Sequence, residues 1–253
     1  MKIEYIGQCG FIIKSDDISI AIDPVLSDLC ENGQSIRLYP PAYPASELDV
    51  DYILCTHDHI DHMDIPTITD AMNNHKNTRI VVPKGCIPML SSIEASRIIG
   101  IGDKETVFLE DDKVSITGIS TAHPVHQLDE NGLDRNLAYA VIVGNKRLVH
   151  LGDTYYTERL EKALGSLGKI DVFFPPINGT DEERTNKGII GNLSSAEAAK
   201  LSAKLGCEIT IPTHFDMVIG NTENPDNFVR ELKAIAPEAK YIIPKLLTCY
   251  SID

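Results

Sequence analysis

The chain has 253 residues, 43% of them hydrophobic, with no tryptophan and with glycine and proline scattered, the make-up of a globular protein able to bury a sizeable core. Its formal net charge of −14 repels phosphate backbones and anionic lipid, which argues against nucleic-acid and membrane-surface partners, and an anionic substrate would need a local source of positive charge. No apolar run is long enough to span a membrane. The six cysteines are dispersed without C-x-x-C pairing and read as reduced, buried thiols, so the expectation is one cytoplasmic domain over residues 1–253.

The N-terminal "MKIEYIGQCGFIIK" alternates apolar and polar residues as strands do, and lacks the apolar run and cleavage site of a signal peptide. "ISIAID" reads as the next strand. Residues 27 to 50, containing "YPPAYPASEL", read as a long loop of the kind that serves as a lid or binding segment. The apolar "YILCT" then leads into "THDHIDHMD", residues 56 to 64, before a helix signal from Ile65. "RIVVP" and "VSITGIS" follow as strands, and "AVIVGNKRLVHL" as a hairpin, because Gly144-Asn145 can supply positive φ between two alternating runs. A helix from Tyr156, the strand "DVFFPP" and a second long loop over 178 to 192 come next. A helix from Ser194 carries a capping box with Glu197 and ends at Gly206. "EITIPT", a helix from Pro225 and "KYIIP" complete a sheet-rich α/β chain with a faint two-half organisation that divides near residue 140.

His57, His59, Asp61 and His62 share no helical face, since neither 3.6 nor 2 residues is their period, so they belong to a loop wrapped around something. His123, Asp153 and His214 each follow an apolar run in the same way, at the point where the chain leaves a strand. Imidazoles and carboxylates gathered at one rim would repel and desolvate one another, a conflict that a bound cation removes. Seven groups exceed the three or four ligands of one zinc-like ion, so two divalent ions about 3.5–4 Å apart fit the count. Zinc, manganese and iron all suit such ligands.

"THDHIDH", with His123, "GDT" at Asp153 and "PTHFD" at His214, resembles the metallo-β-lactamase superfamily of hydrolases. The resemblance implies a four-layer αββα sandwich with the site at one edge. It gives His57, His59 and His123 to a first metal, Asp61, His62 and His214 to a second, and makes Asp153 the bridge. "IEYIGQCGFIIK", "IDP" at 22 to 24 and "NLSSAEAAKLSAKLGCEITIPTHFD" are most similar to the L-ascorbate-6-phosphate lactonase-like branch, although the lactonase proper is longer after its last metal histidine.

The chemistry this implies is hydrolysis of a lactone or similar ester, on a small sugar with or without a phosphate, with Asp61 orienting the attacking hydroxide and relaying its proton. Asp23, before Pro24, is either a partner behind a metal histidine or a turn residue. Arg37, Arg184 and Lys187 in the two long loops are candidate contacts for an anionic substrate, and Tyr155 and Asn178 for the substrate generally; each also reads as plain surface. His126 is a weaker candidate, while His75, His150 and Cys55 read as structural. A small-molecule substrate is the expected partner, with self-association left open. The rival readings are a metal-dependent phosphodiesterase and a non-catalytic metal-binding regulator.

Overall fold

The structure, a computed structural model, describes residues 1–15 and 17–252. Three strands open the chain as an antiparallel meander: β1 (Lys2–Gly7), β2 (Gly10–Ser15) and β3 (Ile18–Ile22). A two-residue-per-arm hairpin, β4 (Cys30–Glu31) with β5 (Gln34–Ser35), stands apart from the main sheets. β6 (Tyr52–Leu54), β7 (Arg79–Pro83) and β8 (Ile98–Ile101) extend the first sheet in parallel from β3, and α1 (Ile65–Asn74) makes the crossover from β6 to β7.

The second sheet repeats this plan. β9 (Thr106–Leu109), β10 (Val114–Ser120), β11 (Leu137–Val143) and β12 (Lys146–His150) are antiparallel, and β13 (Val172–Phe174), β14 (Ile209–Thr210) and β15 (Lys240–Tyr241) continue in parallel. Helices α2 (Glu158–Gly165), α3 (Glu182–Asn186), α4 (Ser195–Leu205) and α5 (Pro225–Ile235) lie in its connections. β16 (Cys249–Ser251) returns to pair with β1, giving strand orders β16-β1-β2-β3-β6-β7-β8 and β15-β14-β13-β12-β11-β10-β9. The two-half pattern in the sequence is this repetition of an antiparallel meander followed by parallel crossovers, but the halves divide between β8 and β9, after Ile101 and before Thr106, and not near residue 140, which lies inside β11 of the second sheet.

Period-two alternation builds the layers. Phe11, Ile13, Ile20, Ile22, Tyr52 and Leu54 of one sheet meet Ile116, Tyr139, Val141, Leu148, Val172 and Phe174 of the other in a shared core. Their neighbours point outwards: Ile12, Ala21, Ile53 and Ile80 pack on Ile68, Ala71 and Met72 of α1. On the far side Ala140, Val149 and Phe173 pack under Leu160, Leu164, Leu201, Phe228 and Leu232 of α2, α4 and α5. The αββα sandwich follows, with the interior strands buried on both faces as parallel strands under helices must be.

Local signals land where their chemistry puts them. Ser194 accepts from the Glu197 amide while the Glu197 carboxylate accepts from Ser194, and Gly206 closes α4 at φ 61°. In the β11–β12 turn Gly144 is at positive φ, whereas Asn145 is not. The two long loops contain more regular structure than their composition suggests: the first holds β4, β5 and a 3-10 turn over Ala45–Glu47, and the second holds α3, capped by the Asp181 carboxylate. The cysteine expectation is half met, since all six are free but only Cys9, Cys55 and Cys86 are buried, with Cys30 and Cys249 exposed. Among the described residues no helix is long and apolar enough to cross a membrane.

Candidate metal centre

The loop after β6 turns tightly, with the amides of His62 and Met63 both donating to the His59 carbonyl at 3.0 and 2.8 Å. That turn projects His57 and His59 towards His123, and Asp61 and His62 towards His214. One ligand atom each from His57, His59, His123 and Asp153 lie within 4.8 Å of one another, as do those of Asp61, His62 and His214. Asp153 stands between the groups: its Oδ2 is 3.3 Å from His123 Nε2 and 3.4 Å from His214 Nε2, and its Oδ1 is 3.1 Å from His62 Nε2. The structure therefore brings together all seven residues that the sequence singled out, from four separate strand ends.

The backbone needed for this is unusual. Gln8, Asp23 and His214, all at this rim, have φ of 55°, 44° and 59°, in a region that costs non-glycine residues about 1–3 kcal/mol and that clusters at functional sites. Gly152, just before Asp153, is also left-handed, and a Cβ there would meet the Thr56 Oγ1 at 2.5 Å. Thr56 is itself tied down, donating through its amide and hydroxyl to the two Asp23 oxygens at 2.8 and 2.7 Å.

Asp23 is fully buried and its Oδ2 lies 2.7 Å from His62 Nδ1, which leaves His62 Nε2 facing the cluster. This is the arrangement in which a carboxylate orients a metal-binding imidazole. Gln8 is a member of the centre that sequence reasoning missed. Its Nε2 donates to Asp61 Oδ2 at 2.8 Å, its carbonyl accepts from the His214 amide, and its side chain is wholly buried. The only sequence signal was a polar residue within the tight "GQCG" turn between two apolar strands. Cys9 also brings its sulfur within 4.8 Å of His62 and Asp153 ligand atoms, with burial first and the Asp153 and Asp23 carboxylates next holding the thiol protonated.

Burial dominates the electrostatics. It pushes the His57 imidazole well below its ordinary range, with His62 adding to the effect, and it brings His123 down to about 4. For His214 burial pulls in the same direction, but the Asp153 and Asp61 carboxylates outweigh it and lift the imidazole to about 9. His62 is raised for the same reason, by Asp153, Asp61 and Asp23 against its burial. Asp61 and Asp153 are conversely held below the carboxylate range by these imidazoliums, although burial alone would raise both.

Whether the pocket suits a metal is answered by its orphaned atoms. His57 Nε2, His62 Nε2, both ring nitrogens of His123 and Asp153 Oδ1 are buried without a hydrogen-bond partner, and His62 Nε2 makes none with Asp153 despite their 3.1 Å separation. Unpaired polar atoms are costly in a protein interior, and imidazole nitrogens with carboxylate oxygens are the donor set of borderline divalent ions. The residues fit such ions.

Metal binding must then displace protons, because a ligand imidazole is neutral. Apparent affinity of the metal-free protein should rise between pH 7 and about 9, roughly tenfold per pH unit for each proton displaced from His214 and His62. The raised His214 value also stabilises the metal-free fold below its ordinary 6.5, a contribution lost as pH climbs through about 9. Competition against a chromogenic chelator across this range measures the slope, and an affinity independent of pH would contradict the protonation scheme.

The proposed substrate contacts fare differently. A cleft of about 420 Å³ opens onto His59, Asp61, Asp153 and His214, and Lys187 lines it. Arg37 does not: it is 8% exposed, and its guanidinium donates to the carbonyls of Val25, Ser27 and Tyr39. Arg184 is likewise outside the lining, bound to Asp181 and the Thr222 carbonyl. Both cations were read from sequence as available to an anion, whereas the fold uses them to fasten loops. Asn178 is fully buried behind the cleft, donating to the Asn221 side chain at 2.9 Å, and it is Asn221 that faces the opening. Tyr155 is half-buried with its ring 6.3 Å from that of His123. His126 bonds Ser120, and His150 is a satisfied core residue between the Cys9 carbonyl and the Gly152 amide.

Residues 19–215 match the beta-lactamase superfamily domain family. The chain is 28% identical over 233 residues to a UPF0173 protein of Pyrococcus abyssi, covering 92% of this chain and 91% of that one. It is 26% identical to a UPF0173 metal-dependent hydrolase of Archaeoglobus fulgidus, covering 97% and 96%. In three dimensions it is similar to a metallo hydrolase from Ignicoccus hospitalis, with a TM-score of 0.74 at 19% identity, covering 100% of this chain and 99% of that one. An isothiocyanate hydrolase from Delia radicum gut bacteria gives a TM-score of 0.75 at 17% identity, covering 99% and 98%.

Proposed function

Because the chain belongs to the beta-lactamase superfamily and carries the metallo-β-lactamase fold, we propose that it is a metal-dependent hydrolase with a dinuclear centre, acting on a carboxylic ester or lactone. The observation that carries this reading is the convergence of two imidazole-carboxylate groups on Asp153, with buried nitrogens otherwise unpaired. Relatives named as metal-dependent hydrolases, similar over nearly the whole chain, support it. His57, His59 and His123 would hold one ion, Asp61, His62 and His214 the other, with Asp153 shared. Bound divalent ions would supply Lewis acidity and water acidified to near neutrality, which is why neither a serine nor a cysteine nucleophile is needed.

The chain's own groups do the rest. Asp61 and His59 are the candidate ligands that are not fully buried, and the Asp61 carboxylate, 16% exposed at the mouth of the cleft, is placed to accept a proton from the nucleophile and return it to the leaving oxygen. Gln8 holds that carboxylate by one oxygen and fixes its plane. Asp23 keeps the His62 ring oriented, and the buried Asn178 fixes Asn221 at the opening. A phosphodiester is the weaker substrate: Lys187 is the one Lys or Arg among the described residues lining the cleft, and its ammonium is already 2.7 Å from Glu183.

Chelation should abolish hydrolysis of a chromogenic carboxylic ester, and added Zn²⁺ or Mn²⁺ should restore it. Persistent turnover in demonstrably metal-free protein refutes the proposal. Faster turnover of bis(p-nitrophenyl) phosphate than of any ester or lactone would transfer it to the phosphodiesterase class.

A further inference from the structure

We propose that the substrate presents an uncharged aliphatic group, rather than a sugar or phosphorylated end, to the wall of the cleft facing the metal centre. This rests on the hydrolase reading above and names the substrate class of that same site. The wall is made by Ile36, Ile60, Ile189, Ile190 and Val218. Ile60 is 47% exposed at the mouth, directly before Asp61, so its side chain is available to a ligand.

The wall is built, not incidental. Ile36 and Val218 come from two segments about 180 residues apart that pair like strands: Leu38 N donates to the Met217 carbonyl and Ile219 N to the Ile36 carbonyl, each at 2.8 Å. Arg37, between Ile36 and Leu38, fastens this ribbon from behind through its three backbone acceptors. Ile189 is placed by its amide's 2.9 Å bond to the Arg184 carbonyl, and Arg184 is anchored to Asp181 and Thr222. The two arginines therefore position the aliphatic wall.

Charge in the cleft points the same way. Glu31 in the lining would repel a phosphate, while the other two charged groups there outside the metal-binding residues are already paired, Asp58 with Arg135 and Lys187 with Glu183. A polyhydroxylated sugar needs many donors and acceptors, yet away from the metal-binding residues and these charged groups the lining offers Asn221 as its polar side chain. Apolar contact, which grows with each methylene removed from water, is what this surface can give.

The test uses straight-chain hydroxamic acids, whose two oxygens engage metal ions while the alkyl tail samples the wall. Calorimetric titration of metal-loaded protein with the acetyl, butyryl and hexanoyl members should show affinity rising about two- to fourfold per methylene. The double variant Ile60→Ser/Ile189→Ser, altered at a half-exposed and a partly buried position, should flatten the series to under twofold per methylene. Gluconohydroxamate and its 6-phosphate should bind more weakly than the hexanoyl compound. A flat series in the unaltered protein, no binding by any member, or tighter binding of the phosphorylated compound overturns the inference. A rising series without hydrolysis of any ester removes the hydrolase reading and leaves this one standing; ester hydrolysis with a flat series does the reverse.

Discussion

Asp153→Ala should lower metal content by at least one ion per chain and reduce kcat/KM for an ester by roughly four orders of magnitude or more if Asp153 joins the two halves of the proposed centre. The reason is position. Asp153 oxygens lie within 3.4 Å of His62, His123 and His214, so a single methyl group in its place removes the link between both halves of the centre. It also leaves His62 and His214 as neighbouring buried imidazoles without the carboxylate that contributes most to offsetting their burial. Elemental analysis together with steady-state kinetics checks this, and circular dichroism establishes that the variant folds. Two tightly held ions and near-normal turnover in this variant would remove Asp153 from the centre. Asp61→Ala provides the contrast, with a fall of about 10²–10⁴-fold in kcat expected from loss of the proton acceptor, together with weaker retention of metal at the His62–His214 side.

Asp23→Ala should be the most damaging change outside the ligand set. Three donors converge on this carboxylate: the Thr56 amide, the Thr56 hydroxyl and His62 Nδ1, all buried. Leaving such groups unsatisfied costs about 1–3 kcal/mol apiece, and partial relaxation brings the expected loss to about 3–5 kcal/mol in urea denaturation of the metal-free protein. Freed from its partner, the His62 ring can rotate, so metal affinity should also fall about 10–100-fold. Asp23→Asn, which retains an acceptor for Thr56, should recover part of the stability and less of the affinity. A variant with normal metal affinity would reduce Asp23 to the turn residue that Pro24 alone suggests.

The two effects differ in what made them readable. Asp153 could be picked out because an acidic residue following an apolar strand is conspicuous in one dimension. Asp23 occupies the same kind of position, but its target, His62, is 39 residues away, and only the parallel pairing of β3 with β6 brings them together. Gln8 was invisible for a stronger version of the same reason: its partners are 53 and 206 residues distant, and an amide carries no charge to draw attention.

The sequence by itself determined a sheet-rich α/β chain, the capping of α4 and the identity of the residues that gather at the rim, since alternation, capping chemistry and strand-end placement are local properties of the chain, whereas the αββα layering came from the family resemblance. Only the tertiary structure decided which partners each side chain meets. Arg37 and Arg184 are cationic in any reading, yet the fold commits their guanidiniums to backbone carbonyls and Asp181. Two loop isoleucines that carry no binding signal in the sequence, Ile60 and Ile189, line the cleft. The physical reason is that composition fixes what a side chain can bond, whereas long-range strand pairing, here 36–38 against 217–219, fixes what it does bond and which surface is left for a substrate.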